Sequence, residues 1–420
     1  MNSRRSHLRD AAWLTRGPLA NVLAILDRDG EEARVVGGAV RNALIDQPFD
    51  EIDIATTAVP DEVMQRAESA RLRVVPTGVA HGTVTILCEG VPFEVTTLRE
   101  DVETYGRKAK VAFGRDWRRD AERRDFTMNA LSASRDGSVH DYVGGLADLE
   151  ARRVRFIGDA AARIAEDYLR ILRFFRFHAA YGEGEPDTAA LHACIAARDG
   201  LASLSRERVR MEMLKLLVTR RAGEAVGLMA ASGLLVSLLG GVPYLRSFEE
   251  MTAIEAAAGE RPDAVRRLGA LAVWVEEDAQ RLSERLRLSN AERDRLQVMA
   301  DGWWRVGADL SSQSARALLY RLGQAGYADR LLLAWSRSQD GPGDSRWRDL
   351  VTLPERWRPP AFPIAAVEMI SRGVAKGPAL GAALREAEAS WIAADFPSDA
   401  AAIGAIADAA ARLAGPENRT

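Results

Sequence analysis

Glu51 and Asp53 stand two apart in the run Glu51-Ile52-Asp53-Ile54-Ala55-Thr56. Residues i and i+2 of a β-strand share a face, so this spacing predicts two carboxylates projecting together. Paired hard oxygen donors on a rigid element suit Mg²⁺, which in phosphoryl transfer neutralises charge on the attacking and leaving oxygens. Just upstream, Val35-Val36-Gly37-Gly38-Ala39-Val40-Arg41 reads as a buried strand, a glycine turn and the start of a helix. Gly37 and Gly38 would let the backbone approach a triphosphate closely, at the N-terminus of the helix that carries Arg41. The chemistry this pattern points to is nucleotidyl transfer.

Such groups need a small sheet to hold them. Segments rich in β-branched residues at 34–36, 52–56, 73–75, 83–87 and 93–98, bounded by Gly or Pro, predict strands mixed with helices over residues 1–150. From about residue 158 helical periodicity takes over and the β signal almost vanishes. The expected fold is therefore α+β: an N-terminal head of mixed β-sheet with helices, followed by an elongated all-α remainder. The segment around Asp344 (QDGPGDS) and the Pro-rich run at 358–363 mark late boundaries. The division expected is a head at 1–150, a neck at 151–240, a body at 241–345 and a tail at 346–420.

A chain of 420 residues can form two to four domains, and a net charge of −3 does not by itself announce a nucleic-acid partner. Arginine is nevertheless concentrated at 99–124 and 152–176, enough for a local basic lining that binds RNA or triphosphate. Cys88 and Cys194, far apart and each in an apolar stretch, read as buried free thiols in a reducing compartment. With no long apolar run for a membrane span or leader, the expectation is a soluble, cytoplasmic protein.

The glycine turn followed by the acidic strand resembles the signature of the nucleotidyltransferase superfamily. Arg123-Arg124-Asp125-Phe126-Thr127-Met128-Asn129-Ala130-Leu131 narrows this, being similar to the second motif of class II tRNA nucleotidyltransferases and bacterial poly(A) polymerases. Asp141-Tyr142-Val143-Gly144-Gly145 with Asp148 resembles the family's hinge motif. Glu166-Asp167-Tyr168-Leu169-Arg170 resembles its nucleotide-selecting motif, and Glu207-Arg208 with Glu212 its last, helix-stabilising one. The resemblance covers roughly residues 35–212. It implies that Arg123, Arg124 and Asn129 face the triphosphate and ribose, and that Asp125 holds the ribose hydroxyl or orients an arginine, while Phe126 belongs to the core. All five histidines precede residue 193, so the helical half lacks the His/Asp phosphohydrolase centre that some relatives append.

Asp167 and Arg170 stand three apart in a helical stretch and are expected to share a face. On an arbitrary helix that is a surface ion pair; among these motifs it is expected to be a base reader. Cytosine and adenine each offer an exocyclic amine beside an unprotonated ring nitrogen, whereas uracil and guanine offer a carbonyl beside an N–H. A carboxylate accepting from the amine and a guanidinium donating to the ring nitrogen therefore admit C and A and reject U and G. Arg208 and Glu212, at i,i+4, are expected to pair and hold the neck helix.

Several residues carry weaker expectations. Family members commonly have aspartate where this chain has Glu51; glutamate also binds Mg²⁺, and Asp50 would need a bulge to face the same way. Glu94 is either a third carboxylate on a neighbouring strand or an ordinary surface residue, and His81 is a modest substrate-face candidate. Between Arg99 and Arg119 a polar connection is expected to be a flexible loop, which in CCA-adding relatives helps switch the pocket from C to A. Lys376-Gly377-Pro378-Ala379-Leu380-Gly381 is either a phosphate-holding helix start or a tight turn, and Trp303, Trp304 and Trp391 are expected in the core.

The resemblance implies a Mg²⁺-dependent CCA-adding tRNA nucleotidyltransferase, with tRNA, CTP and ATP as partners and neither membrane nor protein partner. Glu51 and Asp53 would be the catalytic metal ligands; Gly37, Gly38, Arg41, Arg123, Arg124, Asp125, Asn129, Asp167 and Arg170 would bind nucleotide. The alternatives are a poly(A) polymerase and a non-catalytic tRNA-binding protein with a decayed site.

Overall fold

The computed structural model describes residues 7–105 and 108–414, apart from the side chains of residues 100–112. The chain divides into two compact units, Met1–Leu238 and Leu239–Thr420.

The first unit is built on β1 (Ala33–Val36), β2 (Asp53–Thr56), β3 (Arg73–Gly78), β4 (Thr83–Cys88), β5 (Val91–Thr97), β6 (Arg99–Tyr105), β7 (Lys108–Phe113), β8 (Ser132–Ser134) and β9 (Val139–His140). Seven of them form one sheet in the order β3-β4-β5-β2-β1-β8-β9, and β6 and β7 form a separate pair. The sheet is mixed: β2 runs parallel to β5 and antiparallel to β1. That parallel pairing sets Asp53 beside Glu94, while β1 sets Val36 against Asp53. Glu51 lies two residues ahead of β2, so the strand carries Asp53 but not Glu51, correcting the expectation of both acids on one regular strand. The connection expected as a loop after Arg99 is instead an antiparallel hairpin, with a register shift between Asp101 and Glu103; its turn lies outside the described residues.

Helix α1 (Pro18–Leu26) begins with proline at its first position and buries Leu19, Val22, Leu23 and Leu26. That i, i+3, i+4, i+7 stripe is the core-facing side of an amphipathic helix, each such side chain contributing roughly 1.5–3 kcal/mol on burial. Helix α2 (Gly38–Leu44) follows β1, and α3 (Trp117–Glu122) is capped by Asp116, whose side chain accepts the Arg118 and Arg119 N–H groups. Then come α4 (Gly145–Glu150), α5 (Ala160–Glu166), α6 (Leu169–Tyr181) and α7 (Arg206–Leu217). Phe126, fully buried, packs on Phe156, Phe174 and Phe177 with centroids 4.9, 6.4 and 5.2 Å away, tying the arginine-motif segment to α6.

Among its described residues the second unit is made of helices and connecting segments, with no β-strand. It contains α8 (Leu245–Ala258), α9 (Ala264–Ala272), α10 (Glu276–Leu286), α11 (Asn290–Ala300), α12 (Ser312–Arg337), α13 (Pro378–Ala393) and α14 (Ala400–Leu413), besides shorter helices. Helix α12 is broken at Gly323, whose φ of 67° no helix interior accommodates. Ile364, Met369, Val374, Ala383, Ala387, Ala407, Ala410 and Ala411 form the core near the end of the chain. Gly377, at φ 106°, makes the turn into α13. Trp391 is buried as expected, but Trp304 is 56% exposed and Trp303 only half-buried. They lie in a short 3₁₀ turn after a left-handed Gly302, so helical spacing does not apply to them. Among the described residues no helix is long and apolar enough to cross a membrane.

Candidate active site

β1 delivers the chain into Gly37, which caps α2 at φ 71° and ψ −121°. Only glycine tolerates that conformation without strain, and a Cβ there would also stand 3.3 Å from Arg124 Nη1. The Gly37 N–H is fixed on Leu131 O at 3.0 Å. The turn therefore brings backbone and the Arg124 guanidinium together beside the start of β2.

Three acids meet at that start. Partial burial pushes the Asp53 carboxyl above the ordinary carboxylate range; the Arg124 charge opposes the rise and the Glu51 charge adds to it. Partial burial also raises Glu94, followed by the charges of Asp53 and Glu51. Asp53 and Glu94 thus both feel the charge of Glu51, and all three acids remain open to solvent. Uncompensated carboxylates with hard oxygen donors are a fit environment for a divalent cation such as Mg²⁺. Among the described residues no three acidic, His or Cys side chains already converge to hold an ion by themselves.

The arginine motif is anchored from below by Asp120, a residue the sequence reading did not single out. Arg123 Nε and Nη2 donate to Asp120 Oδ1 at 2.9 and 2.6 Å, and Arg124 Nε and Nη2 to Oδ2 at 3.3 and 3.2 Å. Burial alone would raise Asp120, but the charges of Arg124 and Arg123 outweigh it and hold the carboxyl below its usual range. The only sequence signal for this anchor was the i,i+3 and i,i+4 spacing from Asp120 to the two arginines.

Asp125 is buried and orients an arginine: Arg173 of α6 donates Nε and Nη2 to Oδ2 at 2.7 and 2.6 Å. Its Oδ1 accepts the Phe126 N–H at 2.8 Å and Asn129 Nδ2 at 3.0 Å. Asn129 Oδ1 in turn accepts from Arg41 Nη1. Arg41 is only 6% exposed; it donates to Tyr181 OH at 2.7 Å and stacks 4.0 Å from that ring. Its guanidinium thus links α2 to the end of α6 beneath the glycine turn.

The Glu166–Arg170 motif sits across a break, not along one helix. Asp167 ends α5 in an extended conformation, φ −156° and ψ 105°, before α6 begins, so the expectation of a shared helical face does not hold. Asp167 accepts from Arg208 of α7, Nη1 at 3.2 Å and Nη2 at 2.5 Å. Arg170 Nη1 donates to Glu166 Oε2 at 2.5 Å and to Arg163 O at 2.6 Å. Arg163 also reaches the head, its Nη2 donating to Arg124 O at 2.6 Å. The expected Arg208–Glu212 pair is likewise replaced: Glu212 accepts from Arg176 Nε at 2.5 Å and lies 3.6 Å from Arg173 Nη1. Partners from a different helix outcompete the local i,i+4 neighbour because α7 packs against α6 here.

The hinge motif is a backbone clamp. Asp141 Oδ1 accepts the N–H groups of Val143, Gly144 and Gly145 at 3.1, 2.9 and 2.9 Å, and Oδ2 that of Leu146 at 2.9 Å. A Cβ on Gly145 would lie 2.3 Å from Thr127 O, so this crossing requires glycine. Fully buried Asp148 receives Thr127 Oγ1 at 2.6 Å, Arg153 Nε at 2.7 Å and Arg155 Nε at 2.8 Å. His81 is exposed, and its carbonyl accepts from Arg99 Nη1 at 3.3 Å.

Residues 33–155 match the family model described as the poly A polymerase head domain, and residues 185–251 one described as a probable RNA and SrmB-binding site of polymerase A. A zebrafish (Danio rerio) mitochondrial CCA tRNA nucleotidyltransferase 1 is 40% identical over 282 residues, covering 66% of this chain and 64% of that protein. The mouse (Mus musculus) mitochondrial CCA tRNA nucleotidyltransferase 1 is 32% identical over 387 residues, covering 89% of this chain and 86% of its own length. Among solved structures, the Bacillus stearothermophilus CCA-adding enzyme in complex with CTP superposes with a TM-score of 0.72 at 25% identity, covering 90% of this chain and 93% of that one. With identity of this degree extending over most of both chains, the protein belongs to the family of CCA-adding tRNA nucleotidyltransferases.

Proposed function

We propose that the protein adds C, C and A to the 3′ end of tRNA without a nucleic-acid template, taking CMP and AMP from CTP and ATP and releasing pyrophosphate. The observation that carries this reading is the meeting of Asp53, Glu51 and Glu94 with the Gly37 turn and Arg124 at the start of β2. Glu51 and Asp53 would hold Mg²⁺, which when bound neutralises charge developing on the reacting phosphate. Two protein carboxylates completed by substrate phosphates is the usual habit of that ion. Arg123 and Arg124, fixed on Asp120, face the triphosphate, and Gly37 and Gly38 let the backbone approach it. Arg41, Asn129 and Asp125 act one layer below, keeping the turn and the arginine motif in register with α6.

Asp167 and Arg170 read the base. For Asp167 to accept an exocyclic amine it keeps one oxygen on Arg208 and offers the other; for Arg170 to donate to a ring nitrogen it turns one N–H away from Glu166. Residues 1–150 act as the catalytic head and 151–240 as the neck, with 241–345 and 346–420 as a body and tail that hold the tRNA. Two free, buried cysteines suit the cytoplasm as the place of work.

The head-domain match favours one second reading, a poly(A) polymerase using the same site. Incubation with tRNA lacking its last three residues, Mg²⁺ and labelled nucleotides, singly and as CTP plus ATP, separates the two. Two C additions followed by one A support CCA addition, and long A tracts support the polymerase. No incorporation with tRNA still bound supports a decayed, binding-only protein.

A further inference from the structure

The second unit contains a cavity of about 260 Å³ that the catalytic chemistry does not use, lined by Tyr244, Arg246, Ser247, Trp274, Ser336 and Arg337 among others. Three connections build it. Tyr244 stands just ahead of α8, with its N–H on Leu271 O at 2.7 Å. Trp274 follows α9, its N–H held by Asp278 Oδ2 at 2.7 Å. Arg337 closes α12 and donates Nη2 to Val273 O.

The rings form a run. Tyr244 and Trp274 lie 5.1 Å apart, Trp274 and Trp303 4.7 Å, and Trp303 and Trp304 6.0 Å. Trp274 and Trp304 remain 41% and 56% exposed. The Arg337 guanidinium stands 4.5 Å from the Trp274 ring and 4.4 Å from that of Trp303. Among the described residues it forms no ion pair; the carboxylate acting on it, Asp278, is committed to the Trp274 and Val275 N–H groups and to Arg281. Two of its nitrogens, Nε and Nη1, are buried with no acceptor among the described residues.

Arg337 is held in place by Val273 O and the flanking rings, while Trp274 beside it stays open to solvent. A partly exposed indole beside an arginine at the wall of a cavity resembles the surface on which an unpaired nucleobase stacks. Exposed Arg246 at the rim suits the adjoining phosphate. The Tyr244–Ser247 wall also lies inside the segment that matches the RNA-binding family model.

We infer that this cavity binds one unpaired base of the RNA substrate, stacked on Trp274 beside Arg337. The inference rests on the RNA-substrate reading above and adds a contact far along the chain from the catalytic acids.

The test uses the full-length protein, a tRNA transcript lacking its last three residues, and the same transcript carrying 4-thiouridine in its loops. For Trp274→Ala the KM for tRNA should rise about tenfold, the loss of one stacked base, with kcat and the KM for CTP unchanged. Trp274→Phe should restore most of the loss. Photocrosslinks should map near Trp274 in the wild type and disappear in Trp274→Ala. An unchanged KM for tRNA with no crosslink there overturns the inference, as does a change confined to self-association in sedimentation. A wild type that binds tRNA through Trp274 but transfers no nucleotide would sink the enzymatic reading and leave this site standing.

Discussion

Arg208 grips Asp167 through both carboxylate oxygens, from a helix more than forty positions further along the chain. The contact fixes the acceptor that would choose the incoming base, and it makes Arg208 a positioning residue. Losing a charge-assisted hydrogen bond costs about 1.5–3 kcal/mol, roughly 10- to 150-fold. Arg208→Ala should therefore lower kcat/KM for CTP and ATP within that range and raise UTP misincorporation, read by single-nucleotide extension. Arg208→Lys keeps the charge but not the fork, so it should restore rate more than selectivity. Unaltered selectivity in both variants would remove Arg208 from the base-reading apparatus.

Asp53→Asn should lower kcat by more than the ~100-fold that loss of a metal's outer partners typically costs, with tRNA binding retained. The same change should stabilise the first unit. A carboxyl whose folded-state pKa is raised contributes stability below its unfolded pKa and loses it as pH rises through the folded value. At neutral pH the ionised Asp53 therefore works against folding, and Asp53→Asn should raise Tm by about 1–3 °C at pH 7 and leave it unchanged near pH 3. Thermal melts at the two pH values decide this.

Glu94→Gln removes a like charge from beside Asp53 without removing Asp53 itself. The acid limb of the kcat/KM profile, which follows ionisation of the acid cluster, should then move to lower pH. Above pH 7 the rate should fall less than the ~10-fold at the lower edge of outer-partner effects. A profile that stays in place would mean Glu94 and Asp53 do not sense each other in solution.

Much of this arrangement was legible in the order of the chain. Gly37, Asp53, Arg124 and Asp125 fall in motifs whose residue types are dictated locally: a turn that only glycine can make, and acids next to the strand that presents them. Glu94 was visible only as an isolated acid in a β-run, because the parallel β2–β5 pairing that sets it beside Asp53 joins segments about forty residues apart. Arg208 and Glu212 misled for the same reason. Helical spacing named them as partners, while packing on α7 of α6 and the segment just before it supplied Asp167 to one and Arg176 to the other. Trp304 failed differently, since a left-handed Gly302 breaks the periodicity that had put it in the core.

The Asp125 hub offers the sharpest separation of architecture from catalysis. Its carboxyl is nearly fully enclosed; burial alone would raise it, yet Arg173, Asn129 and the Phe126 N–H together hold it below the usual range. A depressed folded-state pKa contributes stability above the unfolded value, lost as pH falls through the folded one. Asp125→Ala leaves the partly buried Arg173 with Glu212, 3.6 Å away, as its remaining acidic neighbour. Breaking a buried pair from one side typically costs about 3–5 kcal/mol. The urea midpoint of the first unit should fall accordingly at pH 7, and the gap between variant and wild type should narrow toward pH 2. Asp125→Asn, which keeps an acceptor for Arg173 and the Phe126 N–H, should lose less stability and flatten the acid limb. If Asp125→Asn instead matches wild type in stability at every pH but raises the KM for nucleotide, its carboxylate serves the ribose and not Arg173.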